Sequence, residues 1–236
     1  MPAWWRPARW CAALGAALWL SACAVPDASR SEVGRYKVAL PPGQWTELPA
    51  QAAFRLPATV DGASAPLTTR AWALRGDDGA WLAVALLHVA DVGRNTTPWT
   101  RACPATRDVW VQDAAGSSAA RIDCLRYRRA AEFNDWLAKN RPDLAQWTAQ
   151  QGVQFKGTYA HLNHVLTTTW GDYVALDVLA VQRLVRPATH SNDEFLRAGL
   201  PTQDWIDRVA ESVRLSTRMF DGHLALPPFP FPINQH

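Results

Sequence analysis

Residues 81–89 read Trp-Leu-Ala-Val-Ala-Leu-Leu-His-Val, and this run restricts the fold more than any other. A strand sends alternate side chains to opposite faces, so a strand apolar at odd and even positions alike must be covered on both sides. The preceding segment 70–75 (Arg-Ala-Trp-Ala-Leu-Arg) is separated from it by Gly76-Asp77-Asp78-Gly79, a turn sequence that accepts positive φ. Together they predict a hairpin over 69–90 whose second strand is central in a sheet. The single imidazole in the run, His88, is expected as a buried, hydrogen-bonded core histidine rather than a metal ligand.

Elsewhere the pattern alternates between short strands and two helical stretches. Residues 36–40 alternate as a strand and Pro41-Pro42-Gly43 turns them; 45–48 and 53–56 are short extended pieces. Segments 106–111 and 120–127 pair across a turn at 114–118, which puts the basic cluster Arg126-Tyr127-Arg128-Arg129 at a strand end in solvent. Phe133, Trp136 and Leu137, then Leu144, Trp147 and Thr148, repeat at helical spacing over 131–151. Pro142 opens the second half of this broken helix pair and Gly152 stops it. Residues 153–162 and 165–170 are strand-like, and Gly171-Asp172 joins the latter to a long run, 173–185, as a second hairpin. A loop with a short helical turn over 187–199 leads to a last helix opened by Pro201, with Trp205, Ile206, Val209, Ala210, Val213 and Thr217 on its apolar side. The tail 226–232 alternates proline with phenylalanine and is polyproline-like. The fold class that follows is α+β: a mostly antiparallel twisted sheet with helices packed on it.

The first 22 residues stand apart. Arg6 and Arg9 precede an apolar core and Ser21-Ala22, the layout of an export signal that is removed before the chain folds. Leu20-Ser21-Ala22-Cys23 resembles the lipobox of bacterial lipoprotein precursors. That resemblance implies cleavage before Cys23, acylation of its thiol (palmitate), and Ala24 at the position that directs such proteins to the outer membrane. Each buried methylene contributes roughly 0.8 kcal/mol, so two or more acyl chains anchor a module without a spanning helix. The expected organisation is a signal peptide over 1–22, a lipidated cysteine and tether over 23–34, one periplasmic domain over 35–220, and a Pro/Phe-rich tail over 221–236. At the level of element order, Pro42-Gly43-Gln44-Trp45 and the closing Ser216-to-Phe220 segment resemble PsbP/Mog1/DcrB-like domains, from which the helices over 131–151 depart. Fold likeness of this kind implies no activity.

Export also bears on the cysteines. With Cys11 in the leader and Cys23 lipidated, Cys103 and Cys124 remain, without the Cys-x-x-Cys spacing of a redox pair, and are expected to form a structural disulfide. The formal charge is +3, with two of the positive charges in the leader. The body is thus nearly neutral, with no basic run of the kind nucleic-acid binders carry.

Catalytic constellations are sparse. There is no Gly-x-Ser-x-Gly, no phosphate loop, and no serine with a base in local context. His161 and His164 are the one close histidine pair. On a strand at this spacing their rings point apart, and His190, Asp193 and Glu194 are the further groups a metal would need. Without a metal they are expected as exposed turn histidines. Nine of the 13 tryptophans lie beyond the leader and either pack the core or line a groove. No cofactor is expected. The leading expectation is a membrane-anchored, non-enzymatic lipoprotein with a periplasmic binding or envelope-assembly role, its partner met through the Pro/Phe tail. A carrier or sensor of a hydrophobic ligand in a Trp-lined cleft is the alternative, and a metal-assisted hydrolase built on His161 and His164 a third.

Overall fold

The computed structural model describes residues 30–50, 53–55, 67–91, 103–118, 120–130, 133–169 and 171–233. The leader, Cys23, Trp99 and Trp170 lie outside them. The elements run β1 (Arg30–Val33), β2 (Tyr36–Ala39), β3 (Gln44–Leu48), β4 (Thr68–Arg75), β5 (Trp81–Asp91), β6 (Trp110–Asp113), α1 (Ala115–Ser118) and β7 (Ile122–Ala130). They continue as α2 (Phe133–Asn140), α3 (Pro142–Gln150), β8 (Tyr159–Thr167), β9 (Asp172–Val181), α4 (Gln182–Val185), α5 (Asn192–Arg218) and β10 (His223–Ala225). Seven strands form one sheet in the order β3-β4-β5-β9-β8-β7-β6, antiparallel at every pairing. The chain is α+β, as its pattern implies.

The run 81–89 is the heart of this arrangement. β5 pairs with β4 on one side and β9 on the other, and its two faces feed two separate cores. Ala83, Ala85 and Leu87 pack with Trp205, Ile206, Val209 and Val213 of α5. Val84 and Leu86 pack with Leu137, Leu144 and Trp147 of the α2–α3 pair. The sheet is therefore a middle layer with helices on both faces. Gly79 takes positive φ in the β4–β5 turn, where a side chain would be strained.

Several boundaries differ from the pattern. α5 begins at Asn192, not Pro201: Ser191 caps it by accepting from the Glu194 amide, so the expected loop over 192–199 is helix. Pro201 sits inside, removing one backbone donor. The expected break between 153–162 and 165–170 is instead one strand, β8, continuous through His161 and His164. Residues 30–33, assigned to the tether, form β1 and pair with β2. The tail is not free either, since β10 adds parallel to β2. Phe229 then stacks on Trp205 with ring centroids 5.5 Å apart, and the Phe231 amide donates to the Leu184 carbonyl. Among the described residues no helix is long and apolar enough to cross a membrane.

A cationic cavity over a buried aspartate

Asp177 stands in the middle of β9, in the sequence Val-Ala-Leu-Asp-Val-Leu-Ala-Val, and is almost fully buried. A bare carboxylate there would cost many kcal/mol, and four residues from two other strands and the α2–α3 junction compensate it. Arg141 binds it through two bonds, Nη1 to Oδ1 at 2.7 Å and Nη2 to Oδ2 at 3.1 Å. His161 Nε2 donates to Oδ1 at 2.6 Å and Asn163 Nδ2 to the same oxygen at 2.9 Å. His88 Nε2 donates to Oδ2 at 3.2 Å, and Thr69 Oγ1 lies 2.9 Å from its other ring nitrogen. An ionised carboxylate only accepts, so each imidazole must carry its proton on Nε2. Burial acts against the Asp177 charge, but the Arg141 guanidinium and the hydrogen bonds from His161 and His88 outweigh it and hold the carboxyl well below the usual carboxylate range.

Local sequence explains how Arg141 reaches in. It lies between α2 and α3, where Pro142 opens the second helix and turns the chain over the sheet. Asp143 takes the other side of the guanidinium fork, at 3.1 and 3.0 Å. His161 and Asn163 are two residues apart on β8 and so share the face of Asp177, while β7 sets Arg128 opposite His161 and Arg126 opposite Asn163.

Above this floor lies a cavity of about 260 Å³. One wall is the sheet, with Arg126, Arg128, His161 and Asn163; Trp136, Asn140 and Arg141 of the helical pair form the opposite one. Thr106 and Val109 close a third side from the segment before β6. That segment is tied down by the disulfide between Cys103 and Cys124, Cα atoms 5.2 Å apart, which joins the chain before β6 to β7.

The two rim arginines are not spent as Arg141 is. Arg128 lies over the Trp136 ring, 4.7 Å from its centroid, and its Nε is buried without a hydrogen-bond partner. Arg126 is half-buried; desolvation and the neighbouring Arg141 charge both push its pKa down. Neither belongs to a strand end in solvent, the place the basic cluster is expected to take; of that cluster Arg129 is the exposed member. β7 runs on to residue 130, so its alternation turns Arg126 and Arg128 inward under α2.

The remaining candidates fall elsewhere. His88 is a buried core histidine with both ring nitrogens engaged, as expected. His161 and His164 are buried strand residues, not turn residues, and they sit on opposite faces of the sheet. His164 Nε2 donates at 2.8 Å to Asp123, which also receives Arg214 at 2.7 and 3.1 Å from the α5 side. Two groups on opposite faces cannot ligate one ion, so the expected His161/His164 metal site does not form. His190 is exposed before α5, and Asp193 and Glu194 occupy its first turn. No group of three metal-ligating side chains converges among the described residues. Trp72, Trp147 and Trp205 are core residues, and Trp136 is the one indole lining this cavity. A larger cleft of about 390 Å³ lies beside Trp81. Two of its three cations are engaged by the chain itself, Arg183 with the Ile233 carbonyl and Arg186 with the Phe195 carbonyl and ring, and Lys156 is the third.

A buried aspartate was the legible part of this site. A charge inside a run apolar on both faces demands partners, but nothing in sequence links Arg141, 36 residues earlier, to that need. Compared with family models, with curated proteins and with solved structures, the chain matches none.

Proposed function

We propose that this chain is a lipid-anchored module of a bacterial envelope, held through Cys23 and probing the periplasm, whose role is binding rather than catalysis. Its binding site is the cavity walled by β7, β8, the α2–α3 pair and the disulfide-tied segment. The observation that carries the reading is the split between floor and rim. At the floor Arg141 and His161 Nε2 are locked in bonds to Asp177, which suits a rigid platform for a ligand. The rim presents an indole and two guanidinium groups without ion pairs among the described residues. The volume falls just under the roughly 300–1,000 Å³ of drug-sized sites, so the ligand is small. A partner role for the tail has less to offer, because the rings of Phe229 and Phe231 are half-buried against the chain's own domain.

Two measurements test this. Native mass spectrometry of the full chain, extracted from envelopes in mild detergent, should show a bound small molecule that is lost in Asn140→Trp, which places an indole at the cavity mouth. An empty wild type, or a molecule retained in the variant, overturns the binding reading. For the anchor, Cys23→Ser should move the protein from the envelope pellet to the soluble fraction, and a variant that still pellets overturns it.

A further inference from the structure

We propose that the cavity takes an oxyanion, a carboxylate or phosphate group on a small molecule, with Arg126 as its main charge partner and Arg128 beside it. This rests on the binding reading above and adds the chemical class of the ligand. Three guanidinium groups, Arg126, Arg128 and Arg141, surround this space. Two carboxylates, Asp177 and Asp143, answer them, and both bind Arg141. Arg126 and Arg128 thus face the cavity with no carboxylate in contact among the described residues; Arg126 feels the like charge of Arg141 more strongly than the opposite charges of Asp177 and Asp113, neither of which bonds it. A half-buried cation without a bonded counter-charge is costly, and a bound anion reduces that cost.

The geometry suits one small group. Arg126 and Arg128 are two residues apart on one strand, so their Cα atoms lie roughly 7 Å apart on the same face, close enough for two planar forks to converge on the oxygens of one ligand. Guanidinium groups bind carboxylate and phosphate through paired, charge-assisted bonds. The Nε of Arg128 is buried without a hydrogen-bond partner, so the protein itself leaves this guanidinium incompletely satisfied. Stacking on Trp136 holds that guanidinium in a plane. The amide nitrogens of Asn140 and Asn163 each give one hydrogen, to the Trp136 carbonyl and to Asp177, and carry no charge, so the arginines supply the charge recognition of an anion.

Isothermal titration of the full chain in detergent at low salt, with inorganic phosphate and separately with succinate, tests the proposal. Saturable one-to-one binding of at least one of the two is expected, weakened at least tenfold in Arg126→Gln. Arg70→Gln removes the same charge from a surface pair with Glu47 and should change affinity less than twofold. Binding of phosphate alone assigns a phosphate source, and of succinate alone a carboxylate source. Should Arg126→Gln fail to fold, Arg126→Lys carries the test: it keeps the charge, loses the fork, and should bind several-fold more weakly. Equal affinity in wild type and Arg126 variants, or no binding of either anion, overturns the proposal. If neither anion binds but a co-purified neutral molecule is lost in Asn140→Trp, the oxyanion assignment fails and the binding reading stands.

Discussion

His161 and His164, three residues apart on β8, each donate to a different buried aspartate on opposite faces of the sheet: His161 to Asp177 at 2.6 Å and His164 to Asp123 at 2.8 Å. Each aspartate in turn binds an arginine from the helical layer on its side, Arg141 from the α2–α3 junction and Arg214 from α5. The two helical layers are therefore each fastened to the sheet by a polar cluster set within apolar packing. The consequences below follow from that arrangement and from the loops around it.

Acid should loosen the α5 side in two stages. Burial opposes the Asp123 charge, but hydrogen bonds from His164 and Arg214 outweigh it and hold the carboxyl well below the usual range. Its stabilising effect is complete above the unfolded value of about 4 and is lost as pH falls below that. His164 is pushed below the ordinary histidine value by burial, which outweighs the Asp123 contribution. The unfolded chain therefore takes up a proton below about pH 6.5 where the folded one does not, and stability falls with pH from that point. Tm followed by circular dichroism should hold from pH 8 to 7, decline from about 6.5 and drop more steeply below about 4. His164→Gln, whose amide replaces the Nε2 donor without titrating, should flatten the first decline and keep the second.

Asp177→Asn should cost about 3–5 kcal/mol of unfolding free energy, the range for removing one partner of a buried ion pair. The loss comes from leaving Arg141 short of a counter-charge while the NH2 that replaces one carboxylate oxygen takes the acceptor from one of the two imidazoles. Urea denaturation of wild type and variant gives the difference. A cost under about 1 kcal/mol would mean that the cluster does not fasten α2 and α3 to the sheet.

Replacing both Cys103 and Cys124 with serine should lower stability by about 3 kcal/mol on the chain-entropy model for a loop closed across 21 residues. It should also weaken anion binding, because Thr106 and Val109 would no longer be held as the third wall. Calorimetric unfolding and the phosphate and succinate titrations, run on the double variant, check the two effects separately.

Gly222→Ala should detach the C-terminal segment. Gly222 has φ of 61°, and an added Cβ would collide with the Arg35 carbonyl oxygen, a backbone atom that cannot swing aside. Strain of this kind costs about 1–3 kcal/mol. Hydrogen exchange should show faster exchange at Leu226 and Phe231, whose amides bond to the Ala39 and Leu184 carbonyls, with β5 and β9 unchanged.

What the sequence determined by itself is whatever depends on near neighbours along the chain. A run apolar on both faces, 81–89, required cover on two sides and received it. Gly76 to Gly79 set a hairpin, and Trp136-Leu137 and Leu144-Trp147 set a helix pair, because turn chemistry and periodicity act over a few residues. Local signals also misled, since Pro201 reads as a helix start while the Ser191 cap ten residues earlier outweighs it. The polar triplet of His161, Asn163 and His164 likewise resembles a turn until Asp177 and Asp123 are placed beside it. Only the tertiary structure decided that Arg126 and Arg128 face inward, and that Arg141 and His161 share one carboxylate. Strand alternation says which residues share a face but not which layer covers that face. The partner of a buried charge is fixed by packing between segments far apart in the chain, where no pattern in the sequence records the distance.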